Sequence, residues 1–429
     1  MADLLSLSAD IIDSGVADQP VNRVTQELSE IADGMAMVES FSHTVVLRTD
    51  DGLLCFDTSG AQTGRAVVDA IRGWTPDPFH TLVYTHGHVD HIGGSGAFMA
   101  DAAGARRPSP RVIAHENVPE RMDRYDLTNG YNVTINARQF GGGRGGAALT
   151  LGDGTRFVRA DVARPDEVFR NELTREIGGV TVEMHHARGE TDDHLWAWLP
   201  AQRALCTGDF LIWNFPNAGN PQKVQRYPLE WAAALRDMAS MGAELLLPAH
   251  GLPISGTARI AMVLDDVATA LEGLVSDTLS LMNEGATLDH IVHTVRVDPD
   301  LLAKPYLRPL YDEPEFVVRN IWRLYGGWYD GSPAHLKPAP QSAFAGELVE
   351  LSGGVDVIID RARSLAASGD LRLACQIIEL AIDADPTHRA AHGARAEIYE
   401  QRRKAESSLM SKGIYGWAVR QSKAAIGGE

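Results

Sequence analysis

Three histidines and an aspartate occupy six consecutive positions of this chain, in the order His86, His88, Asp90 and His91. They follow the apolar run at residues 81–84, which predicts a loop at the end of a strand. The spacing is the H-x-H-x-D-H pattern, in which the first two histidines bind one cation and the aspartate with the last histidine binds a second. Two metals about 3.5–4 Å apart can hold a hydroxide between them. The stretch therefore predicts a dinuclear metal site, and its ligand types suit zinc. We favour this interpretation over a polar surface loop with chance histidines.

Three later segments offer further ligands, because each contains acidic or imidazole side chains where a predicted strand ends. Residues 186–194 lie between two predicted strands, residues 207–209 end in a Gly-Asp pair, and residues 248–251 contain an Ala-His pair. If the fold is a sandwich with its chemistry at one edge, loops of this kind supply the remaining ligands. The order of the segments favours one metal centre built from four loops.

The composition is that of a globular protein, with 44% apolar and 22% charged residues in a chain of 429. This length predicts two or three domains. The formal net charge of −18 argues against nucleic acid or an anionic membrane as a partner, because both select for clustered lysine and arginine. Any anionic substrate must therefore meet a locally positive pocket.

The cysteines and the amino terminus indicate the compartment. Cys55, Cys206 and Cys375 are odd in number and widely scattered, so they form neither a disulfide framework nor a zinc knuckle. Residues 1–10 lack the basic and apolar regions of a secretory signal, and no run approaches 18 apolar residues. We expect a cytoplasmic protein, or a periplasmic or secreted one if a signal peptide was removed.

Hydrophobic periodicity predicts an α/β (α+β) fold class for the first half of the chain and helices for the rest. A hairpin is expected from residues 42–48 and 53–57, a helix at 64–73, and strands at 81–84, 111–114, 179–184, 195–199, 204–206 and 244–247. We divide the chain into an N-terminal segment (1–34), a catalytic domain (35–270), a helical connector (271–340) and an α-helical domain (341–429).

The last part of the chain predicts a small helical domain with an incomplete core. Helices are expected at 355–367, 371–382 and 388–404, after a proline-rich connector at 332–340. Two of them resemble a single tetratricopeptide unit, which leaves an apolar face uncovered and predicts a partner surface. The glycine-rich stretch 141–146 predicts a mobile loop, and no Lys-Ser or Lys-Thr follows it to make a nucleotide cradle.

The four ligand-bearing loops, taken in order, resemble the metallo-β-lactamase superfamily over residues 35–255. That superfamily carries a H-x-H-x-D-H loop, then a G-H-T segment, a G-D pair and a final G-H or A-H. The resemblance implies an αββα sandwich with the metals at one edge of the two sheets.

One departure from that pattern indicates a branch of the superfamily. Glu190 stands where most relatives carry the histidine of G-H-T, and a further acid, Asp209, follows 19 residues later. Acidic ligands at these places resemble the alkylsulfatase branch, although a glutamate is expected at position 209. Residues 318–333 and 369–386 also resemble the alkylsulfatase dimerisation region, which implies a homodimer formed through the C-terminal helical domain.

The resemblance implies two Zn²⁺ per chain and seven ligands. These are His86, His88, Asp90, His91, Glu190, Asp209 and His250. His86, His88 and Glu190 would bind one metal, Asp90, His91 and His250 the other, and Asp209 would bridge them. Asp90 and Asp209 are also the candidate catalytic residues.

The charge of this centre predicts how a substrate anion is bound. Two divalent metals, three carboxylates and a bridging hydroxide sum to zero, so the surroundings must supply positive charge. The loop after Asp209 offers amides and cations, and the resemblance to alkylsulfatases implies an Asn and an Arg that hold sulfate. The candidate substrate-binding residues are Asn217, Lys223, Arg226 and Arg138.

The leading hypothesis is a dinuclear zinc-dependent hydrolase that cleaves sulfate esters of apolar alkyl or aryl alcohols by a metal-bound hydroxide. The alternative is hydrolysis of carboxylic esters, lactones or β-lactams on the same fold. A third hypothesis is a non-catalytic scaffold whose helical half recruits a partner. A fourth, redox chemistry on mononuclear iron as in thiol dioxygenases, is disfavoured by the complete second set of ligands.

Several further residues are interpreted as structural or as support for the ligands. His115 and His185 at strand ends are interpreted as structural histidines rather than ligands. Asp193 and His194 are candidates for hydrogen bonds that orient the ligands. The alternating Trp196 and Trp198, together with other apolar positions of the same strand, predict core packing.

Overall fold

The computed structural model describes residues 3–140 and 156–427. The chain forms two compact units, one of residues 1–133 with 151–326 and the other of residues 134–150 with 327–429. The predicted glycine-rich loop at 141–146 lies outside the described residues. Within them, no helix combines the length and the apolar character that crossing a bilayer requires.

The first unit is built on two mixed sheets. The seven-stranded sheet has the order β1-β2-β3-β4-β5-β6-β7, and the six-stranded sheet the order β13-β12-β11-β10-β9-β8. The strands are β1 Leu28–Ala32, β2 Met35–Val38, β3 Thr44–Thr49, β4 Gly52–Phe56, β5 Phe79–Val83, β6 Arg111–His115, β7 Glu167–Phe169, β8 Glu172–Ile177, β9 Val180–His186, β10 Leu195–Leu199, β11 Ala204–Gly208, β12 Leu245–Pro248 and β13 Ile254–Ser255.

Helices accompany these sheets and make up the described part of the second unit. They are α1 Leu4–Ser14, α2 Gly64–Trp74, α3 Val89–Ile92, α4 Ser95–Gly104, α5 Asn117–Leu127, α6 Asn129–Gln139, α7 Pro228–Ser240, α8 Thr257–Asn283, α9 Leu288–Thr294, α10 Pro299–Ala303, α11 Pro314–Tyr325, α12 Pro333–Leu336, α13 Gln341–Ser352, α14 Val355–Ala367, α15 Leu371–Ala384, α16 Arg389–Ala405 and α17 Leu409–Ala425.

Side chains that alternate along the strands divide the core of the first unit into two clusters. In β4, Leu54 and Phe56 join the cluster shared with the second sheet, whereas Leu53 and Cys55 face the cluster that contains α2 and α4. Neighbouring residues of a strand point to opposite faces, so one strand serves both clusters. Helices α7 and α8 pack on the other sheet, with Trp231 and Leu264 in the shared cluster. The predicted αββα sandwich is confirmed.

The order of the strands explains why the ligand-bearing loops meet. Strands β4 and β5 are parallel neighbours, and so are β11 and β12. The carboxyl ends of parallel neighbours lie at the same edge of a sheet, so the loops that follow them converge there. The loop between β9 and β10, which form an antiparallel pair, adds residues 187–194.

The boundary between the units differs from the predicted connector at 271–340. Helix α8 runs without a break from Thr257 to Asn283, and the chain remains in the first unit until residue 326. The continuous apolar face of α8 on the sandwich explains this, because Leu271, Leu274 and Val275 lie in its core. The N-terminal segment also packs there through α1, whose Leu4 and Ile11 are buried in the same core.

The second unit contains the predicted helices at 355–367 and 371–382 as α14 and α15, which share an apolar core with α16. The predicted break between the first two is confirmed. Gly369 has a φ of 89°, which suits glycine, and the side chain of Asp370 caps α15 by accepting from the backbone N–H of Leu373. The proline-rich segment includes the short helix α12.

Candidate metal centre

The four loops bring all seven predicted ligands together at one edge of the sandwich. Ligand-type atoms form two groups, each within 4.8 Å, and they are His86, His88, Glu190 and Asp209 in one and Asp90, His91 and His250 in the other. Among residues 3–140 and 156–427, these are the groups of three or more such side chains close enough to hold a metal.

The second group has the spacing of a tetrahedral zinc site once Asp209 is included. Its atoms are Nε2 of His91, Nε2 of His250, Oδ2 of Asp90 and Oδ1 of Asp209. Each of these nitrogen atoms lies 3.4–3.6 Å from each of these oxygen atoms. Ligands about 2.0–2.2 Å from a tetrahedral zinc ion are roughly 3.3–3.6 Å from one another. These four nitrogen–oxygen distances are therefore compatible with a tetrahedral metal site.

The first group surrounds a neighbouring position. Nε2 of His86 lies 2.9 Å from Nδ1 of His88, which lies 3.4 Å from Oε1 of Glu190. Nε2 of His86 is 4.0 Å from Oδ2 of Asp209. The two carboxylate oxygens of Asp209 thus face different groups, as a ligand shared by two cations would.

Several of these atoms are buried without a hydrogen-bond partner. They include Nε2 of His91, Oε2 of Glu190 and Oδ1 of Asp209. Leaving such an atom unsatisfied costs about 1–3 kcal/mol, and more for a charged group. Metal coordination would satisfy all three atoms, so the residues present fit a metal centre.

The pKa shifts of the histidines indicate how charge is distributed in this cluster. Burial lowers the pKa of His86 and His88 well below the usual value, which favours the neutral form of imidazole that metals bind. Burial also opposes the charged form of His91, but Asp209, Asp57 and Asp90 raise the pKa of His91 well above the usual value. The direction of this shift indicates that the three carboxylates favour positive charge at the ring of His91.

Asp57 orients His91 and was not identified from the sequence. Its Oδ2 accepts a hydrogen bond of 2.8 Å from Nδ1 of His91, and its Oδ1 accepts from the backbone N–H of Thr85. The bond fixes the tautomer and leaves Nε2 of His91 for a metal. The position of Asp57 directly after β4 was the available signal, because the other ligand-bearing loops also follow strands.

The buried ion pair of Asp193 and Arg121 packs against the H-x-H loop at Gly87. Oδ2 of Asp193 accepts hydrogen bonds from the backbone N–H of Gly87 at 3.2 Å and from Nε of Arg121 at 2.5 Å. A Cβ atom at Gly87 would lie 2.7 Å from Cδ of Arg121 and 2.8 Å from Oδ2 of Asp193. Glycine between the two histidines is therefore a packing requirement, and Asp193 has the kind of orienting role expected of it.

Two further histidines support the ligands from neighbouring loops. Nε2 of His194 accepts from the backbone N–H of Asp209 at 3.2 Å, and its ring stacks on Phe210 with centroids 4.1 Å apart. Nε2 of His43 donates to the carbonyl of Gly251, next to the ligand His250, at 2.8 Å. Burial lowers the pKa of both rings to about 3, so they remain neutral at ordinary pH.

Two of the predicted substrate-binding residues of the loop after Asp209, Arg226 and Asn217, lie next to Glu190. Arg226 is 1% exposed, its Nη2 lies 3.5 Å from Oε1 of Glu190, and its Nε and Nη1 have no hydrogen-bond partner. The amide nitrogen of Asn217 donates to the same carboxylate oxygen. Arg226 therefore approaches Glu190 through Nη2 and keeps two unused donors, whereas Asn217 donates to the same predicted ligand.

The other two candidates lie differently. Lys223 is half-buried, its Nζ lies 5.4 Å from the centroid of Phe157, and burial lowers its pKa to about 8. Arg138 lies in the last turn of α6, in the stretch that clusters with the helical unit, and its role stays a prediction. Burial and the charges of Glu190 and Asp90 raise the pKa of Tyr311, which sequence reasoning missed, well above the usual value.

The interpretation of His115 and His185 as structural agrees with their contacts. The ring of His115 stacks on that of His186 at 3.7 Å, and the ring of His185 stacks on Trp196 at 4.3 Å. The core placement predicted for Trp196 and Trp198 is confirmed. The three cysteines are buried and unpaired.

An αββα sandwich with a cluster of metal-ligand side chains at one edge of its sheets defines the class of this protein. Residues 37–250 match the metallo-beta-lactamase superfamily, and residues 287–424 match the alkyl sulfatase dimerisation family. The chain belongs to the metallo-beta-lactamase superfamily, in its alkylsulfatase branch.

Curated relatives and one solved structure agree with this assignment. A linear primary-alkylsulfatase of Pseudomonas sp. (strain ATCC 19151) is 28% identical over 83% of this chain and 69% of its own length. An (R)-specific secondary-alkylsulfatase of Pseudomonas sp. is 27% identical over 84% of this chain and 57% of its own length. The alkyl/aryl-sulfatase BDS1 of Saccharomyces cerevisiae is 25% identical over 87% of this chain and 60% of its own length.

The structure of the stereoselective inverting sec-alkylsulfatase Pisa1 from Pseudomonas sp. superposes with a TM-score of 0.81 at 25% identity. The match covers 92% of this chain and 65% of that one. The chain thus spans about three fifths to two thirds of the length of most of these relatives.

Proposed function

We propose that this protein hydrolyses sulfate esters of apolar alkyl or aryl alcohols with the help of two zinc ions. The observation that carries the proposal is the buried guanidinium of Arg226, whose Nη2 lies 3.5 Å from Oε1 of Glu190 and whose Nε and Nη1 have no hydrogen-bond partner. A planar guanidinium with fixed donors suits a tetrahedral oxyanion such as sulfate. The relatives named as alkylsulfatases support this substrate class and favour it over carboxylic esters, lactones or β-lactams.

The proposed metal ligands follow from the two groups of atoms. His86, His88 and Glu190 would hold one zinc ion, Asp90, His91 and His250 the other, and Asp209 would be shared by both. Zinc lowers the pKa of water toward neutrality, which supplies a hydroxide nucleophile at ordinary pH. Asp90 and Asp209 would be catalytic because they set the charge and the position of that centre.

Substrate binding depends on charge outside the ligand set. With three ligand carboxylates and a hydroxide, the centre has no net charge to attract an anion. Arg226 would supply the missing positive charge next to the centre, and Lys223 would add a second cation from the same loop. Asn217 would keep Glu190 in place, and Arg138 remains a proposed contact from α6.

The experiment that tests the substrate class is a side-by-side comparison of dodecyl sulfate, a lactone and a cephalosporin with the zinc-loaded protein. We expect turnover of dodecyl sulfate and little of the other two, and preference for the lactone would overturn the proposal. Incorporation of labelled water oxygen into the alcohol or into the sulfate then distinguishes cleavage of the C–O bond from cleavage of the S–O bond.

We also propose that two chains associate through the helical unit, since residues 287–424 match a family described by dimerisation. Helix α13 carries two large apolar side chains on its outer face, because Phe344 is 59% exposed and Leu351 is 81% exposed. Residues seven apart on a helix share a face, so the two form one apolar stripe. A second copy of the chain would cover it.

A further inference from the structure

One segment ties down both parts of the loop that carries the proposed anion-binding residues. We call residues 217–226 the anion loop and residues 312–320 the brace. Asp312, in the brace, is fully buried, and its Oδ2 accepts a hydrogen bond of 2.6 Å from the backbone N–H of Gly219. Its Oδ1 accepts from the backbone N–H of Glu313 at 2.7 Å, which holds the carboxylate in position.

The other end of the brace holds the other end of the anion loop. The amide nitrogen of Asn320 donates to the backbone carbonyl of Arg226 at 2.9 Å. Oδ1 of Asn320 accepts from the backbone N–H of Arg226 at 3.4 Å and from Nε2 of Gln225 at 2.9 Å. Asn320 therefore engages both backbone polar groups of the residue whose guanidinium faces Glu190.

The two segments also touch directly between these ties. A Cβ atom at Gly219 would lie 2.2 Å from the backbone nitrogen of Val317 and 2.3 Å from the carbonyl carbon of Phe316. No side chain could stand at this place without pushing the brace away. The contact and the two sets of hydrogen bonds hold the anion loop against the brace.

We infer that Asp312 and Asn320 are positioning residues that pre-organise Arg226 for binding the substrate anion. Their hydrogen bonds reach the backbone of the anion loop, and they act through it. A guanidinium that is already held in its binding orientation loses less conformational entropy when the anion arrives. The identity of the anion as a sulfate ester rests on the proposed function, whereas the positioning itself rests on the contacts alone.

The test compares Asn320→Leu and Asp312→Asn with Arg319→Ala in the full-length, zinc-loaded protein. Leucine matches asparagine in shape but makes no hydrogen bond, and Asp312→Asn changes one atom and leaves an amide donor facing the N–H of either Gly219 or Glu313. Arg319 lies next to Asn320 on α11 but is exposed and forms an ion pair with Glu315, so it serves as the matched control.

We expect both brace variants to raise the KM for an alkyl sulfate and the Kd for inorganic sulfate about five- to tenfold, as for a lost buried hydrogen bond. The value of kcat should change much less, and zinc content should stay at two per chain. Amide hydrogen exchange at Gly219 and Arg226 should become faster. Arg319→Ala should leave every one of these quantities unchanged.

Unchanged KM, sulfate affinity and exchange in Asp312→Asn would overturn the inference, and so would an effect that appears only as loss of zinc. If Asn320→Leu does not fold, Asp312→Asn alone decides. If the unaltered protein fails to hydrolyse sulfate esters while the variants still weaken sulfate binding and loosen the loop, the proposed function falls and the positioning role stands.

Discussion

Glu190, a proposed metal ligand, also contacts two polar side chains of the anion loop. It is 3% exposed, it accepts a hydrogen bond from the amide of Asn217, and Arg226 lies 3.5 Å away. Burial and the nearby charge of Asp209 raise its pKa well above the usual value. A buried carboxylate in such surroundings is costly unless cations neutralise it. The residue therefore links the metal centre to the proposed anion site.

Glu190→Ala should lose one zinc ion per chain and at least a hundredfold in kcat/KM for an alkyl sulfate, because one ligand set loses its carboxylate and Arg226 loses its neighbour. Elemental analysis and steady-state kinetics measure these effects. The control is Glu230→Ala, which removes a half-buried glutamate that pairs with Arg188 outside the cluster. Full zinc occupancy with undiminished turnover would contradict the proposed ligand set.

Lys223 should make substrate binding sensitive to alkaline pH. Burial lowers its pKa to about 8, so its positive charge is present below that value and is lost as the pH rises through it. We expect the KM for an alkyl sulfate to rise several-fold between about pH 7 and 9. Lys223→Arg should remove this rise, because arginine remains charged. An identical profile in both proteins would exclude Lys223 as the cause.

At the scale of elements, parallel strand pairs assemble the centre and long-range contacts adjust it. The sequence located the ligand-bearing loops because each follows an apolar run, and the resemblance to the metallo-β-lactamase superfamily grouped the seven ligands within them. The residues that hold them could not be found in this way. Asp57 is 34 positions from His91, and Arg121 is 72 positions from Asp193. Spacing along the chain carries no record of such pairings, which arise only when the sheets pack.

Domain limits were also beyond the sequence pattern. The chain is helical from about residue 257 onward. The first unit nevertheless continues through α11, because the apolar face of α11 joins the sandwich core. Val317 and Ile321 of that helix are fully buried there. Periodicity identifies a helix and its apolar face, but it does not say which core that face covers.

Gly87→Ala should disturb the element that carries His86 and His88. The added methyl group would press on the buried pair of Arg121 and Asp193, at a cost of about 1–3 kcal/mol. We expect a lower melting temperature and weaker binding of the zinc ion assigned to these histidines, measured by thermal unfolding and by chelator competition. Gly73→Ala, where nothing lies within 4 Å of the new Cβ, is the control. Equal zinc affinity in the two variants would refute this account of the loop.

At the scale of the whole molecule, the helical unit has its own small core and leaves apolar side chains on α13 in solvent. The core is formed by α14, α15 and α16, and it includes Ile359, Ile378 and Ile398. Exposed large apolar residues that share one helix face mark an interaction surface. The match to a dimerisation family makes a second copy of the chain the expected occupant.

Leu351→Glu should convert the proposed dimer into a monomer, because a charge would be placed in an apolar interface while an exposed position tolerates it in the single chain. Light scattering over a range of concentrations measures the mass. Ser342→Glu adds the same charge to an exposed position on the opposite face of α13 and should leave the mass unchanged. A dimer that survives in Leu351→Glu would place the interface elsewhere.

The brace has a consequence for how pieces of this chain can be exchanged with those of its relatives. The match to the dimerisation family begins at residue 287, whereas the compact catalytic unit ends at residue 326. A chimaera joined at 286 would take Asp312 and Asn320 from one parent and Arg226 from the other. A junction between Gly326 and Gly327 would instead take Arg226, Asp312 and Asn320 from the same parent.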